Sequence, residues 1–199
     1  MLIYLIRHPQ PQSAAGRCYG REDIPVEATA LSAAAASIRA RIPQHVLDAA
    51  QIFTSPSSRC LALARELAAP REPTAASDLV EMSFGGWEGR RWDSVPREEL
   101  DAWAGDLWRY RPGGGESAAL VARRWERWSN RIRAAAGTAT GAATVAVTHA
   151  GFIRVALACA GLSSAHEFAS GSIGFGSVHR IEFVERRLPK RRPAACPVP

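Results

Sequence analysis

The chain has 199 residues, 47% hydrophobic and 22% charged, which allows one well-buried domain and excludes a peptide, a fibre or a wholly disordered chain. Lys and Arg outnumber Asp and Glu by 25 to 19, a formal charge of +6 that raises nucleic acid or a membrane surface as a partner. Five of those basic residues (Arg186, Arg187, Lys190, Arg191 and Arg192) lie in the last fourteen, so residues 1–185 carry only +1.

The elements come in chain order from hydrophobic spacing. Leu2–Ile6 reads as a buried strand, too short an apolar run for a signal peptide or a membrane span. A loop rich in Pro, Gly and Gln leads to a helix with Leu31, Ala34, Ile38 and Ile42 at helical spacing and Ser32 as its cap. Gln51–Thr54 is the second strand, and Ser55-Pro56 reads as cap and first-turn proline of a helix with Cys60, Leu63, Ala64 and Leu67 on one face. A short strand is predicted near Leu79–Val80, then a helix through Leu100, Trp103 and Leu107, ended by Pro112-Gly113-Gly114-Gly115. A longer helix from about Glu116 carries Val121, Trp125, Trp128 and Ile132 on one stripe. Ala143–Val147 is a buried strand, Phe152, Val155, Ala156 and Cys159 mark the next helix, and Val178–Val184 is the last strand.

Strands alternating with amphipathic helices predict a three-layer α/β/α sandwich with a largely parallel central sheet, formed by a single domain over residues 1–185. Residues 186–199, with four prolines and five basic residues, read as a mobile tail. Such a tail lacks interleaved aromatics and supports at most weak, salt-sensitive nucleic-acid binding. Cys18, Cys60, Cys159 and Cys196 show neither a zinc-ligand pattern nor a disulfide framework, which fits reduced thiols in the cytoplasm.

Ligands of open parallel sheets bind beyond the carboxyl ends of the strands. Arg7-His8 stands after the first strand, Ser55 to Arg59 after the second, and His149 after the strand at 143–147. Two arginines and two histidines converging where helices begin make an anion site suited to a phosphoryl group, since guanidinium forks match phosphate oxygens and helix N-termini add free amides.

These residues belong to longer motifs: Leu5-Ile6-Arg7-His8, then Thr54-Ser55-Pro56-x-x-Arg59, Glu81-x-x-Phe84-Gly85-x-Trp87-Glu88-Gly89 and Thr148-His149-x-Gly151. In that order they resemble the signatures of the histidine phosphatase superfamily, also called phosphoglycerate-mutase-like, over about residues 2–185. The resemblance implies a phosphomonoesterase without metal or cofactor, in which His8 is the nucleophile, Arg7, Arg59 and His149 hold the phosphoryl oxygens, and Glu81 is general acid and then base. Glu88 is expected to fix its loop by hydrogen bonds. Two departures stand out: the usual Arg-His-Gly-Glu is here Arg7-His8-Pro9-Gln10, and no asparagine occurs between residues 9 and 19. Gln10, Gln12 or Ser13 could supply the missing contact.

The loop Cys18-Tyr19-Gly20-Arg21-Glu22-Asp23-Ile24-Pro25 is similar to a C-Y-G-R-x-D-x-P segment of alpha-ribazole phosphatases, which remove the 5′-phosphate of alpha-ribazole phosphate in assembly of the cobalamin nucleotide loop. By position Tyr19, Gly20 and Arg21 would line the substrate entrance. Trp87 and Trp92 are candidates to stack on a base, whereas Trp103, Trp125 and Trp128 are expected in the core. His45, His166 and His179 read as structural. The partner implied is a small phosphorylated substrate, with neither nucleic acid nor membrane, and the oligomeric state is left open. A broad-specificity phosphatase or a phosphoglycerate mutase-like enzyme is the alternative; an inactive binding module or a tail-mediated nucleic-acid binder ranks lower.

Overall fold

A computed structural model of the chain describes residues 1–12, 15–136 and 143–183. Ser13, the basic tail with Cys196, the end of the predicted last strand at Val184 and the domain boundary at 185 lie outside the described residues. The sheet has five strands, β1 (Leu2–Arg7), β2 (Gln51–Thr54), β3 (Thr74–Ala75), β4 (Ala143–Thr148) and β5 (Val178–Glu182), in the order β3-β2-β4-β1-β5. All pairs are parallel except β1 with β5. The helices are α1 (Ala28–Arg39), α2 (Gln44–Ala49), α3 (Ser58–Ala68), α4 (Arg97–Gly105), α5 (Ala118–Ala136), α6 (Ala150–Cys159) and α7 (Ala165–Ser170). Among the described residues no helix is long and apolar enough to cross a membrane.

Alternation along the strands divides the core. Ile3, Leu5 and Ala146 face α5 and α6, where Trp125, Trp128, Phe152 and Ile153 are buried. Ile6, Val145 and Val147 face the other way, onto Ile38 of α1, Leu47 of α2 and Leu63 and Leu67 of α3. A strand covered on both faces needs apolar residues at every position, and all six residues of β4 are buried. Trp125 and Trp128 take the expected core places.

Four local expectations are corrected. Ser32 lies inside α1, whose N-cap is Glu27; the alanine-rich segment sustains a helix from Ala28 onward. Ile42 falls beyond that helix yet stays buried. At α3 the first residue is Ser58 rather than Pro56, because the acceptor comes from a distant loop: Asp23 Oδ1 takes hydrogen bonds from the Ser58 N–H at 2.8 Å and its hydroxyl at 2.9 Å. The predicted strand at Leu79–Val80 is displaced to Thr74–Ala75, and Ser77–Leu79 forms a short 3-10 turn. Carbonyls that a strand would offer to a neighbour are taken there by side chains: Thr148 Oγ1 donates to Leu79 O at 2.7 Å, and Arg124 to Val80 O at 3.0 Å. Helices α2 and α7 have no counterpart among the predicted elements, both being only six residues long, too short for a periodic signal.

Arg124, a buried residue of α5, ties the segment before Glu81 to the domain. It donates to the carbonyls of Asp78 at 2.5 Å, Val80 and, at 3.4 Å, Glu81, and pairs with Glu116 at 2.9 Å. Asp78 adds ion pairs to Arg127 and Arg131 at 2.7 and 2.8 Å; burial alone would raise its pKa, but the hydrogen bonds from the two arginines outweigh it and hold the carboxyl below its usual value. Arg124→Met leaves Glu116 and three carbonyls short of a donor. It is expected to cost about 3 kcal/mol of stability, read from urea unfolding; a change under about 0.5 kcal/mol, the scale of a surface substitution, would contradict the clamp.

Candidate active site

The carboxyl ends of β1, β2 and β4 bring the predicted cluster together. His8 succeeds β1, its N–H bonded to Thr148 O of β4 at 3.1 Å, and Ser55 succeeds β2, its N–H bonded to Val147 O at 2.9 Å. Arg59 lies in the first turn of α3, and His149 is the N-cap of α6. The rings of His8 and His149 meet edge to face with centroids 5.1 Å apart.

Arg59 is fully buried and joins them. Its Nε donates to His8 Nε2 and its Nη2 to His149 Nδ1, both at 3.3 Å, while carbonyls of Gly20 and Glu22 accept at 2.8 and 2.5 Å. His8 Nδ1 lies 2.6 Å from Pro9 O, so the network assigns the proton to Nδ1 and the lone pair to Nε2. Burial first, then Arg59 and Arg7, push the His8 pKa down to about 3, against the hydrogen bond to Pro9 O. His149 is also held well below its ordinary value, by burial and then by His8 and Arg59. Its Nε2 lies 2.8 Å from Ser55 Oγ, which explains why Ser55 does not cap α3.

Glu81 is buried against the start of α6. Its Oε1 accepts from the N–H of Met82 at 2.8 Å and of Phe152 at 3.3 Å, and its Oε2 from Gly151 N–H at 3.3 Å. A Cβ on Gly151 would stand 2.6 Å from Glu81 Oε1, so only glycine lets the carboxylate approach so closely. Glu88 fixes its loop: Oε1 accepts from Phe84 N–H at 2.8 Å and Oε2 from Arg21 N–H at 3.3 Å. Gly20, at φ +42, runs so close to Glu88 that a Cβ would lie 2.7 Å from its Oε1.

A cavity of about 250 Å³ opens in front of Glu81. Of the residues expected around a substrate, Arg7, Tyr19, Gly20, Glu81 and Trp92 line it, together with Trp103, Phe84, Arg17 and Arg154. Arg21 and Trp87 do not, and neither do His8, Arg59 and His149. Arg21 stays exposed and is tied to Glu81 O at 2.9 Å and Glu116 at 2.8 Å. Trp87 is buried with Cys18 and Val95, its indole N–H satisfied by Glu99 at 2.7 Å. Trp103, expected in the core, instead stacks on Trp92 in the cavity wall, with ring planes 4° apart. Neither Gln10 nor Gln12 lines this cavity; Gln10 faces a separate groove with Pro9, Ala34 and Phe175. Arg154 escaped the sequence reading because one arginine on an amphipathic helix carries no motif. Among the described residues no group of three His, Cys, Asp or Glu side chains could hold a metal ion.

The nucleophile candidate is covered. His8 is 1% exposed, and the Phe175 ring lies 5.8 Å from its ring and 3.7 Å from the Arg7 guanidinium. Arg7 Nη1 donates to Ile173 O in the same segment. Phe175 and the Arg7 guanidinium thus lie between the His8 ring and solvent. Phe175→Ala is therefore expected to raise the rate of His8 modification by diethylpyrocarbonate about tenfold; peptide mapping checks it, and an unchanged rate would mean that Phe175 does not control access.

The buried neutral histidines also set a pH dependence. Unfolded, they take up protons near pH 6.5, whereas native His8 resists down to about 3, so the unfolded state binds more protons below 6.5 and stability falls as pH falls. Between pH 7.5 and 5.5 His8 is expected to remove roughly 1 kcal/mol and His149 to act in the same direction, read from urea unfolding. A flat stability over that interval contradicts a neutral pair.

The fold matches known proteins. A comparison with curated proteins gives no match. Among solved structures the chain is similar to TTHB049 from Thermus thermophilus, at 26% identity and a TM-score of 0.68 over 92% of this chain and 94% of that one. A phosphoglycerate mutase from the same organism matches at 26% and 0.66, covering 90% and 92%. A mycobacterial glucosyl-3-phosphoglycerate phosphatase matches in fold, at 24% identity and 0.77 over 90% and 91%. The family model of the histidine phosphatase superfamily, branch 1, matches residues 3–192, and the chain belongs to that superfamily.

Proposed function

We propose that the protein is a metal-independent phosphomonoesterase that works through a phosphohistidine on His8, with alpha-ribazole 5′-phosphate as its substrate. The observation that carries the mechanism is the state of His8: neutral by burial, its Nδ1 proton held by Pro9 O, and its Nε2 lone pair contacted only by the Arg59 N–H. A nucleophile for phosphorus has to be unprotonated, and this ring is so at every physiological pH.

On binding, phosphoryl oxygens take over the N–H groups of Arg7 and Arg59, and Arg59 releases Nε2. His8 Nε2 then attacks phosphorus in line, forming the N–P bond as the ester P–O bond breaks. The developing charge on the equatorial oxygens is met by Arg7, Arg59 and the His149 side chain. Glu81, placed at the cavity face, gives a proton to the leaving oxygen; in the second half it takes one from the water that attacks phosphohistidine, which returns inorganic phosphate and free His8. The arginines supply the positive charge that a metal supplies elsewhere.

Two features support the choice of substrate. The loop with Tyr19 and Gly20 resembles that of alpha-ribazole phosphatases and lines the cavity. Beyond it, the parallel indoles of Trp92 and Trp103 form an aromatic wall of the kind that accepts a flat base.

The test is a screen of phosphate esters with EDTA present. Release of phosphate from alpha-ribazole phosphate, an acid-labile phosphoenzyme, and loss of both by at least about a thousandfold in His8→Ala are expected. Activity that survives His8→Ala would overturn the mechanism, and alpha-ribazole phosphate ranking below simple sugar phosphates would overturn the substrate.

A further inference from the structure

The cavity in front of Glu81 holds more positive charge than one phosphoryl group uses. Its lining includes Arg7, Arg17 and Arg154, against Glu81 as the one carboxylate among the lining residues. Arg7 and Arg59 are committed to the phosphoryl group in the mechanism above. Arg17 is occupied at the rim, donating to Gly89 O at 3.1 Å and pairing with Glu22 at 3.7 Å. Arg154 has no such assignment.

Arg154 belongs to α6, one turn beyond Gly151, whose amide holds Glu81. Its Nη2 is anchored to Gly171 O at 2.7 Å, while its Nε is buried with no acceptor among the described residues. A buried donor without a partner costs about 1–3 kcal/mol, and native structures carry few of them. In a cavity wall the missing acceptor is what a ligand brings. Burial lowers the Arg154 pKa, with Glu81 acting against the shift and Arg7 adding to it, and all three side chains line the same cavity. The rest of the wall, Met82, Phe84, Trp92, Trp103, Leu107 and Phe168, offers the carbon side of a substrate apolar contact apart from the Trp103 indole N–H, which is itself buried with no acceptor among the described residues. An oxygen on that carbon skeleton, close to the ester linkage, has Arg154 as its donor.

We propose that Arg154 is a specificity-determining residue that takes an oxygen acceptor, a hydroxyl or a carboxylate, carried a few atoms from the ester oxygen of the substrate. The inference rests on the phosphomonoesterase reading and narrows its substrates to esters oxygenated next to the phosphate, against plain alkyl phosphates.

Steady-state kinetics with propyl phosphate, glycerol 1-phosphate and phosphoglycolate test it. The wild type is expected to favour at least one oxygenated ester over propyl phosphate by about tenfold or more in kcat/KM. Arg154→Leu should remove that preference, lowering kcat/KM for the favoured ester about ten- to hundredfold, mainly through KM, with less than about a threefold change for propyl phosphate. The arm that loses most, glycerol 1-phosphate or phosphoglycolate, identifies hydroxyl or carboxylate. Arg154→Lys keeps the charge without the planar fork and should restore part of the loss with a carboxylate. Equal losses on all three esters, or a wild type without preference, overturn the assignment, and the second result needs no variant to fold. A wild type that forms no phosphoenzyme with any of them overturns the phosphatase reading and this inference with it, whereas a phosphoenzyme formed without preference overturns the inference alone.

Discussion

A fully buried guanidinium that faces no buried carboxylate is the constraint on which the site depends. Arg59 has Asp23 as its only acidic neighbour within 4.0 Å, and that side chain is largely exposed. Removing such a charge from water is costly unless every N–H finds an acceptor. The acceptors are neutral: carbonyls of Gly20 and Glu22, and ring nitrogens of His8 and His149. Each ring must present a lone pair to Arg59, which is compatible only with the neutral imidazole. Burial and the cation together therefore keep both histidines unprotonated, and its carbonyl contacts pin the loop that carries Tyr19 into the cavity. One residue couples His8, His149 and the loop at residues 20–22.

A second frame holds Glu81. Its side chain rests on three amides around the start of α6 and its backbone carbonyl receives Arg21 and Arg124. Arg21 and Arg124 both reach Glu116, so a small polar network joins the loop before α5, α5 itself and the loop at residue 20 around one carbonyl. Such networks favour a single geometry only when every member is satisfied, and here the carbonyls of 78, 79, 80 and 81 all find donors. The segment is irregular in backbone yet fully hydrogen-bonded, which fixes Glu81 at the cavity wall.

The sequence was readable where local chemistry decides the outcome. The strands β1, β2 and β4 lie in runs of apolar residues between turn signals, and chain direction puts the residues after each strand at its carboxyl end, so Arg7-His8, Ser55 to Arg59 and His149 could be placed at one edge before any coordinate was known. The errors have a common origin. Ser55 looked like a cap, but Asp23, thirty-two residues earlier, caps α3 and leaves Ser55 to His149. Leu79–Val80 looked like a strand, but Arg124 and Thr148 take the carbonyls. Trp87 and Trp103 exchanged expected roles because an acceptor at Glu99 draws one indole inward while the other stacks on Trp92. Arg21, in a motif, turned away from the cavity, and Arg154, in none, faces it.

The amino-acid sequence by itself therefore determined the α/β class, the order of its main elements, and the two arginines and two histidines at the strand ends, because hydrophobic period and residue order are local properties. The tertiary structure alone decided which helix start is capped from afar, which indoles meet the cavity, that Phe175 covers His8, and that Arg154 lines the same cavity as Glu81 with an N–H that finds no acceptor among the described residues. Those outcomes depend on which distant donor and acceptor come within about three ångströms of each other once the sheet is closed on both faces, and side chains far apart in the chain give no periodic trace of that in the sequence.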